Sequence, residues 1–341
     1  MDFRSYTDLI LPKASNIAFC IITVILLWSG LFESTNEVLP VENLLLGNSP
    51  LAYLFAHNFD FLSIPAIVLS SIILLLVAFS MVWINEIYSF IAVRTILPAF
   101  IFIVISSLAL RPHAFSIALI IVLLFALIIF FSFKLYECSQ REITIGIFNI
   151  GILLGIATLF SHSCIFYTLV LFLLFYQQKT LSFRTFIAYI MGISIPFLYT
   201  TLIYVATDNT YYWTNYLTSW FSNAPSVWSE LNENTLLYLC IISAINIFSI
   251  VKVFFLRSHQ SIRNREETMF ILYMLIITVL LLCLGITSDA LLLPLFFFFS
   301  SFLIGQAFSS DFSLSTKIGW GIFLLSSIAF LLFPDYEWNL L

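Results

Sequence analysis

The sequence predicts an all-α polytopic membrane protein, a transmembrane helical bundle of about 11 spans, and three observations carry that prediction. Hydrophobic residues make up 62% of the chain and charged residues only 9%, against about 25% charged in a soluble domain. A soluble fold of 341 residues has no interior large enough for so much apolar surface. The apolar runs are continuous, as in residues 115–133 and 290–303. Barrel strands would instead alternate apolar and polar over about ten residues, and helices and closed barrels are the two architectures that satisfy every backbone group in lipid. The third observation is the sidedness of the basic residues, taken up below.

The candidate spans cover residues 16–32, 61–83, 95–110, 115–133, 144–160, 164–176, 185–206, 235–256, 268–287, 290–308 and 318–333. A typical bilayer needs about 20 residues per helix. The fifth and sixth are short and joined only by Ser161, His162 and Ser163, so they read as a tight hairpin or a re-entrant pair. Arg4 and Lys13 precede the first run, but no small-x-small cleavage site follows it, so it reads as a span and not as a cleaved signal. No soluble domain or linker is visible, and residues 1–341 read as one integral membrane domain.

With the N-terminus inside and the C-terminus outside, Arg111 is the sole outer residue among the 13 Lys and Arg. Cytoplasmic loops carry the excess of Lys and Arg in membrane proteins, so span count and orientation support each other. Lys252 lies near the inner end of its span, where its stem can snorkel to the surface. The net charge of −5 is spread along the chain with no basic stripe, which argues against a nucleic-acid partner. Membrane lipids are the partner that the composition does imply. Cys20, Cys138, Cys164, Cys240 and Cys283 form no CxxC pair and read as small packing residues. The sequence requires no cofactor and leaves room for a divalent metal.

Two outer segments are long. Residues 33–60 form an acidic loop with Glu33, Glu37, Glu42 and Asp60, and His57 beside them. Residues 207–234 are rich in aromatics, and Tyr212, Trp213, Tyr216, Leu217 and Trp220 recur at helical spacing. That spacing predicts an amphipathic helix lying in the membrane surface. His113, His162, Asp208 and Asp289 also fall on the outer side. No Asp, Glu, Arg or His falls at the centre of a span, which disfavours an ion-coupled transporter. Asn149, Asn246 and Gln306 are buried-span amides, expected to hydrogen-bond between helices. Arg111 sits in a very short turn with Pro112 and His113. Its guanidinium suits a phosphate held by paired hydrogen bonds, or equally a lipid headgroup or a loop carboxylate. Gly151 and Gly155 have the small-xxx-small spacing that admits a close helix partner. Glu86 and Arg94 flank an inner loop and are expected to pair across it.

This order of features is similar to a known layout. An acidic outer loop follows the first span; the turn with Arg111 and Pro112 comes two spans later. The hairpin GILLGIATLFSHSCIFYTLVLFLLFYQQ then leads to a span containing GISIP and on to the aromatic outer loop. The layout resembles the GT-C fold glycosyltransferases, which use polyprenyl-phosphate-linked sugars. Residues 84–204 also resemble an uncharacterised family of Bacteroidota polytopic inner-membrane proteins, through Asn85, Glu86, Arg94, Thr95, Pro98, Asn149, Gly151, Gly155, Gly192 and Pro196.

The resemblance implies a multi-pass protein of the bacterial inner (cytoplasmic) membrane with its site at the outer face. An acidic residue of the first outer loop, Glu33 or Glu37, would act as general base on the acceptor hydroxyl. Arg111, with His113, would stabilise the departing lipid phosphate. His57, Asp60, Trp213 and Trp220 would line the rest of the site. Such an enzyme needs a loop carboxylate within roughly 10 Å of Arg111, the scale of the carboxylate separations in glycosidases. The chain departs from the family in two respects: Glu33 and Glu37 stand four apart instead of forming a close acidic pair, and the sequence reads without the large outer domain that many members carry. A non-catalytic scaffold of an envelope assembly complex and a carrier for a lipid or neutral solute are the competing functions.

Overall fold

The structure, a computed structural model, describes residues 21–25, 27, 50–51, 64–88, 90–91, 95–110, 117–208, 210–219, 233–256, 261–284, 292–310 and 314–332. Within them the chain forms α-helices and short 3₁₀ turns, with no strand. The helices are α1 (Ile64–Tyr88), α2 (Leu97–Leu110), α3 (Ile117–Lys134), α4 (Gln140–Phe160), α5 (Tyr167–Gln177) and α6 (Phe183–Ala206). They continue as α7 (Thr210–Ser219), α8 (Glu233–Leu256), α9 (Ile262–Leu284), α10 (Leu293–Ser310) and α11 (Leu314–Leu332). Each predicted span after the first falls on one of these helices, and α7 lies in the aromatic segment. The predicted first span, residues 16–32, lies mostly outside the described residues. Among the described residues, 6 helices are long and apolar enough to cross a membrane (α1, α3, α4, α6, α8 and α9), and four shorter apolar helices accompany them.

Helix α10 is the centre of the bundle. Its Phe296–Phe297–Phe298–Phe299 run is buried on every side, as expected of a helix that is apolar all round. Rings from neighbours meet it edge-on: Phe102 of α2 on Phe298, Phe125 of α3 on Phe299, and Phe90 on Phe302. Such edge-to-face pairs add about 0.5–1.5 kcal/mol each beyond area burial. At Gly305 the chain comes so close to Pro98 that a Cβ would lie 2.6 Å from its ring. With Phe102 opposite Phe298 and Pro98 opposite Gly305, α2 and α10 run antiparallel.

The second organising contact is α4 against α6. Gly151 faces Gly192, and Gly155 faces Ile193 and Pro196. Both positions rise together, so these two helices are parallel. The chain must therefore return between them, and α5 does so: Phe172 packs on Phe186 and Tyr189, and Tyr189 Oη donates to Thr168 Oγ1 at 3.4 Å. The α4–α5 segment is thus a hairpin. Its second arm is lengthened by a 3₁₀ turn, His162–Phe166, ahead of α5. At about 2.0 Å per residue in the 3₁₀ turn and 1.5 Å in the α-helix, the arm reaches roughly 26 Å, close to the hydrocarbon thickness of about 30 Å.

Local signals set the helix ends. Ser139 opens α4, its backbone N–H and hydroxyl both donating to Glu142 Oε2 at 2.8 and 2.7 Å, the S-x-x-E pattern of a capped helix start. Ser182 and Thr185 exchange hydrogen bonds in the same way at the start of α6. At the end of α1, Asn85 Oδ1 accepts from Ile91 N at 2.8 Å, and its Nδ2 donates to the Thr95 carbonyl at 3.5 Å. Asn85 thereby ties both sides of the α1–α2 connection. Arg94, expected to pair with Glu86 there, lies outside the described residues.

The helix directions gather the described basic residues at one end of the bundle. Lys134, Arg141, Lys179, Arg184, Lys252, Arg263, Arg265 and Lys317 all lie in connections or terminal turns of that end. Contacts across the bundle agree: Gln178 Nε2 donates to the Ser132 carbonyl at 3.2 Å, and Lys252 Nζ donates to Thr316 Oγ1 at 2.8 Å.

Candidate functional site

At the end opposite the basic residues, four segments distant in sequence converge. The last turn of α6 carries Tyr204, whose hydroxyl donates to the Pro50 carbonyl at 2.9 Å. Pro50 belongs to the predicted outer segment 33–60, and this buried bond ties Pro50 to α6. The chain then reverses through Asp208, whose φ of 54° lies in the left-handed region that Asp tolerates better than most residues. That reversal folds α7 back onto α6. Trp213 stacks on Tyr204, centroids 6.3 Å apart at 22°, and lies against Phe197 and Tyr216.

Tyr216 completes the cluster. It is fully buried, and its hydroxyl donates to the Thr158 carbonyl at 2.7 Å. Thr158 lies in the last turn of α4, where carbonyls have no partner within the helix. The phenol supplies the missing donor. Replacing Tyr216 with Phe will leave that buried acceptor without it and cost about 1–3 kcal/mol, read as a lower thermal midpoint in detergent. An unchanged midpoint would mean the carbonyl finds another donor.

The predicted site residues divide unequally. Trp213 is at the centre of this aromatic cluster. Glu33, Glu37, His57, Asp60, Arg111, His113 and Trp220 lie outside the described residues, as do Glu42 and Asp289. His162 opens the 3₁₀ turn after α4, at the same end as Tyr216 and Thr158. The predicted aromatic helix exists as α7, with Tyr216 turned into the bundle and Tyr211 and Leu217 exposed. The convergence of Tyr204 with Pro50 had no signal in the sequence, since 154 residues separate the two.

The buried-span amides serve helix contacts. Asn246 Nδ2 bonds Ser300 Oγ between α8 and α10, and Gln306 Nε2 donates to Thr268 Oγ1 at 3.1 Å between α10 and α9. Asn149 instead lines an open cleft of about 490 Å³ with Lys134, Leu135, Cys138 and Glu142, at the basic end. Among the described residues no group of three or more His, Cys, Asp or Glu is placed to hold a metal ion. Cys138, Cys164, Cys240 and Cys283 are not in disulfides.

A charged contact that sequence reasoning missed lies at the basic end. Helix α9 begins at Ile262, six residues earlier than the predicted span, and draws Glu267 into the interior with no exposed surface. Arg263 Nε meets its Oε1 at 2.8 Å, and the guanidinium lies 5.3 Å over the Tyr88 ring and 5.6 Å over that of Tyr136. The Arg-x-x-x-Glu spacing was the available signal.

No family model matches the chain, no curated protein matches it, and no solved structure matches it.

Proposed function

We propose that the chain is a GT-C-like glycosyltransferase of the bacterial inner membrane, with 11 spans, the N-terminus inside and the C-terminus outside. It transfers a sugar from a polyprenyl-phosphate carrier at the outer face. The observation that supports this most is the Tyr204–Pro50 hydrogen bond. It brings Pro50, which the sequence assigns to the same outer loop as Glu33 and Glu37, to the aromatic cluster around Trp213. Indole and phenol rings offer a sugar flat apolar faces with polar rims. The described basic residues lie at the other end, and the positive-inside reading of the sequence assigns the acidic loop and Arg111 to this one.

In this mechanism Glu33 or Glu37 removes the proton of the acceptor hydroxyl as it attacks the anomeric carbon. The glycosyl–phosphate bond breaks, and the polyprenyl phosphate leaves with the electron pair. Arg111 and His113 meet its growing negative charge. General-base and charge-stabilising groups contribute about 10²–10⁴-fold and 10²–10³-fold respectively. Single substitutions of Glu33, Glu37 and Arg111 to Ala test this. At least one of the two carboxylate variants, together with the arginine variant, is expected to lose about 100-fold or more of sugar transfer from a polyprenyl-phosphate donor in isolated membranes. Unchanged transfer and unchanged envelope glycans in all three would sink the proposal and leave the scaffold as the better reading.

A further inference from the structure

We infer that the chain holds an anionic phospholipid of the surrounding leaflet in a groove between α8, α9 and α10, with the lipid phosphate on Arg265. This site is at the basic end and is independent of the outer-face chemistry proposed above.

The groove is a narrow, open crevice, and its space of about 300 Å³ includes the open region at its mouth. Its floor is Leu303 of α10, its walls are Val253 and Phe254 of α8 and Met269 and Leu272 of α9, and Arg265 stands at one end. Leu303, Val253 and Leu272 are buried, while Phe254 is 46% exposed. The groove therefore opens on the apolar perimeter of the bundle, where lipid is the solvent. From Arg265 to Leu272 is seven residues of helix, a length of roughly 10 Å, so an alkyl chain laid along it runs from the headgroup level into the hydrocarbon.

Charge decides between a neutral and an anionic occupant. Arg265 Nε is buried and has no hydrogen-bond partner among the described residues. A buried donor without an acceptor costs about 1–3 kcal/mol, more when charged. A methyl-terminated chain offers nothing to that N–H, whereas a phosphodiester presents two anionic oxygens that match the guanidinium fork. Glu267, two residues further along α9, is ion-paired with Arg263. Thr268, also in the groove lining, donates to the Asn264 carbonyl at 2.6 Å and accepts from Gln306. Its hydroxyl hydrogen is thus committed, and Arg265 is left as the donor for a headgroup. Basic pockets between helices at the cytoplasmic side are where anionic headgroups are recognised, and the positive-inside pattern puts this groove there.

The experiment is native mass spectrometry of the full chain in detergent, titrated with phosphatidylglycerol or phosphatidylcholine. One phosphatidylglycerol per chain should be retained preferentially over phosphatidylcholine. Arg265→Gln should reduce that preference about tenfold, and Met269→Trp, which fills the groove, should abolish retention of the bound lipid. Lys317→Gln, an exposed basic residue at the same end, should change neither. Thermal melts of each lipid-free variant confirm folding before titration. Equal retention of the two lipids by the wild-type chain would overturn the inference. So would a preference that survives Arg265→Gln, or one that falls equally in Lys317→Gln.

Discussion

Placing a leucine at Gly192 will force α4 and α6 apart and collapse the thermal stability of the purified protein. The two helices touch backbone to backbone here. A Cβ at Gly192 would strike the Phe148 carbonyl, and one at Gly151 would lie 2.6 Å from the Tyr189 carbonyl. Neither obstacle is a side chain that can rotate away. Even Gly192→Ala is therefore expected to cost about 1–3 kcal/mol, the range for overpacking a tight interior, although Ala is the better helix former by about 1 kcal/mol. Gly321 in α11 is the contrasting case, because a Cβ there meets nothing within 4 Å. Gly321→Ala should raise the midpoint slightly through propensity alone. If Gly192→Ala and Gly321→Ala moved the midpoint in the same direction, close approach would not be what makes Gly192 necessary. The effect would also reach the candidate site. Thr158 and Tyr204 sit at the far ends of α4 and α6, so separating the helices pulls apart the carbonyl and the phenol that anchor α7 and Pro50.

That linkage shows which parts of the molecule could be read from sequence. The spacing of Gly151 and Gly155 announced a close helix partner, and continuous apolar runs announced the helices of the bundle. Both are periodic or compositional signals carried by neighbouring residues. The identity of the partner, α6 through Gly192 and Pro196, needs two segments about 40 residues apart and was not readable from one of them. The same holds for Asn246 and Gln306. Their role between helices followed from the cost of an unpaired amide in lipid, but Ser300 and Thr268 as their partners did not. Helix starts were misjudged where a polar residue is helical. Ser139–Glu142 and Arg263–Glu267 place capped or charged turns ahead of the apolar run, and a hydropathy reading begins the helix after them. Of the candidate site, Trp213 and α7 followed from aromatic spacing. Pro50 of the predicted outer segment meets this cluster through one hydrogen bond, from Tyr204.

Removing Arg263 should be the most damaging single change at the basic end. Glu267 has no solvent exposure, and Arg263 is its ion-pair partner. An ionised carboxylate in such a place is tolerated because the guanidinium offsets its lost hydration; deleting one member of a buried pair costs about 3–5 kcal/mol. Arg263→Ala also forfeits the guanidinium's contacts over Tyr88 and Tyr136, each worth about 0.5–2 kcal/mol depending on desolvation. Those rings belong to the end of α1 and to the 3₁₀ turn after α3, so Arg263 joins three segments. The double variant Arg263→Met with Glu267→Leu separates charge from packing. Replacing a buried pair by apolar residues of similar volume is often neutral or stabilising, so the double variant should recover most of the thermal midpoint that Arg263→Ala loses. Failure to recover would assign the loss to the aromatic contacts instead. A cost below about 1 kcal/mol for Arg263→Ala would mean that the buried Glu267 carboxyl does not depend on this ion pair.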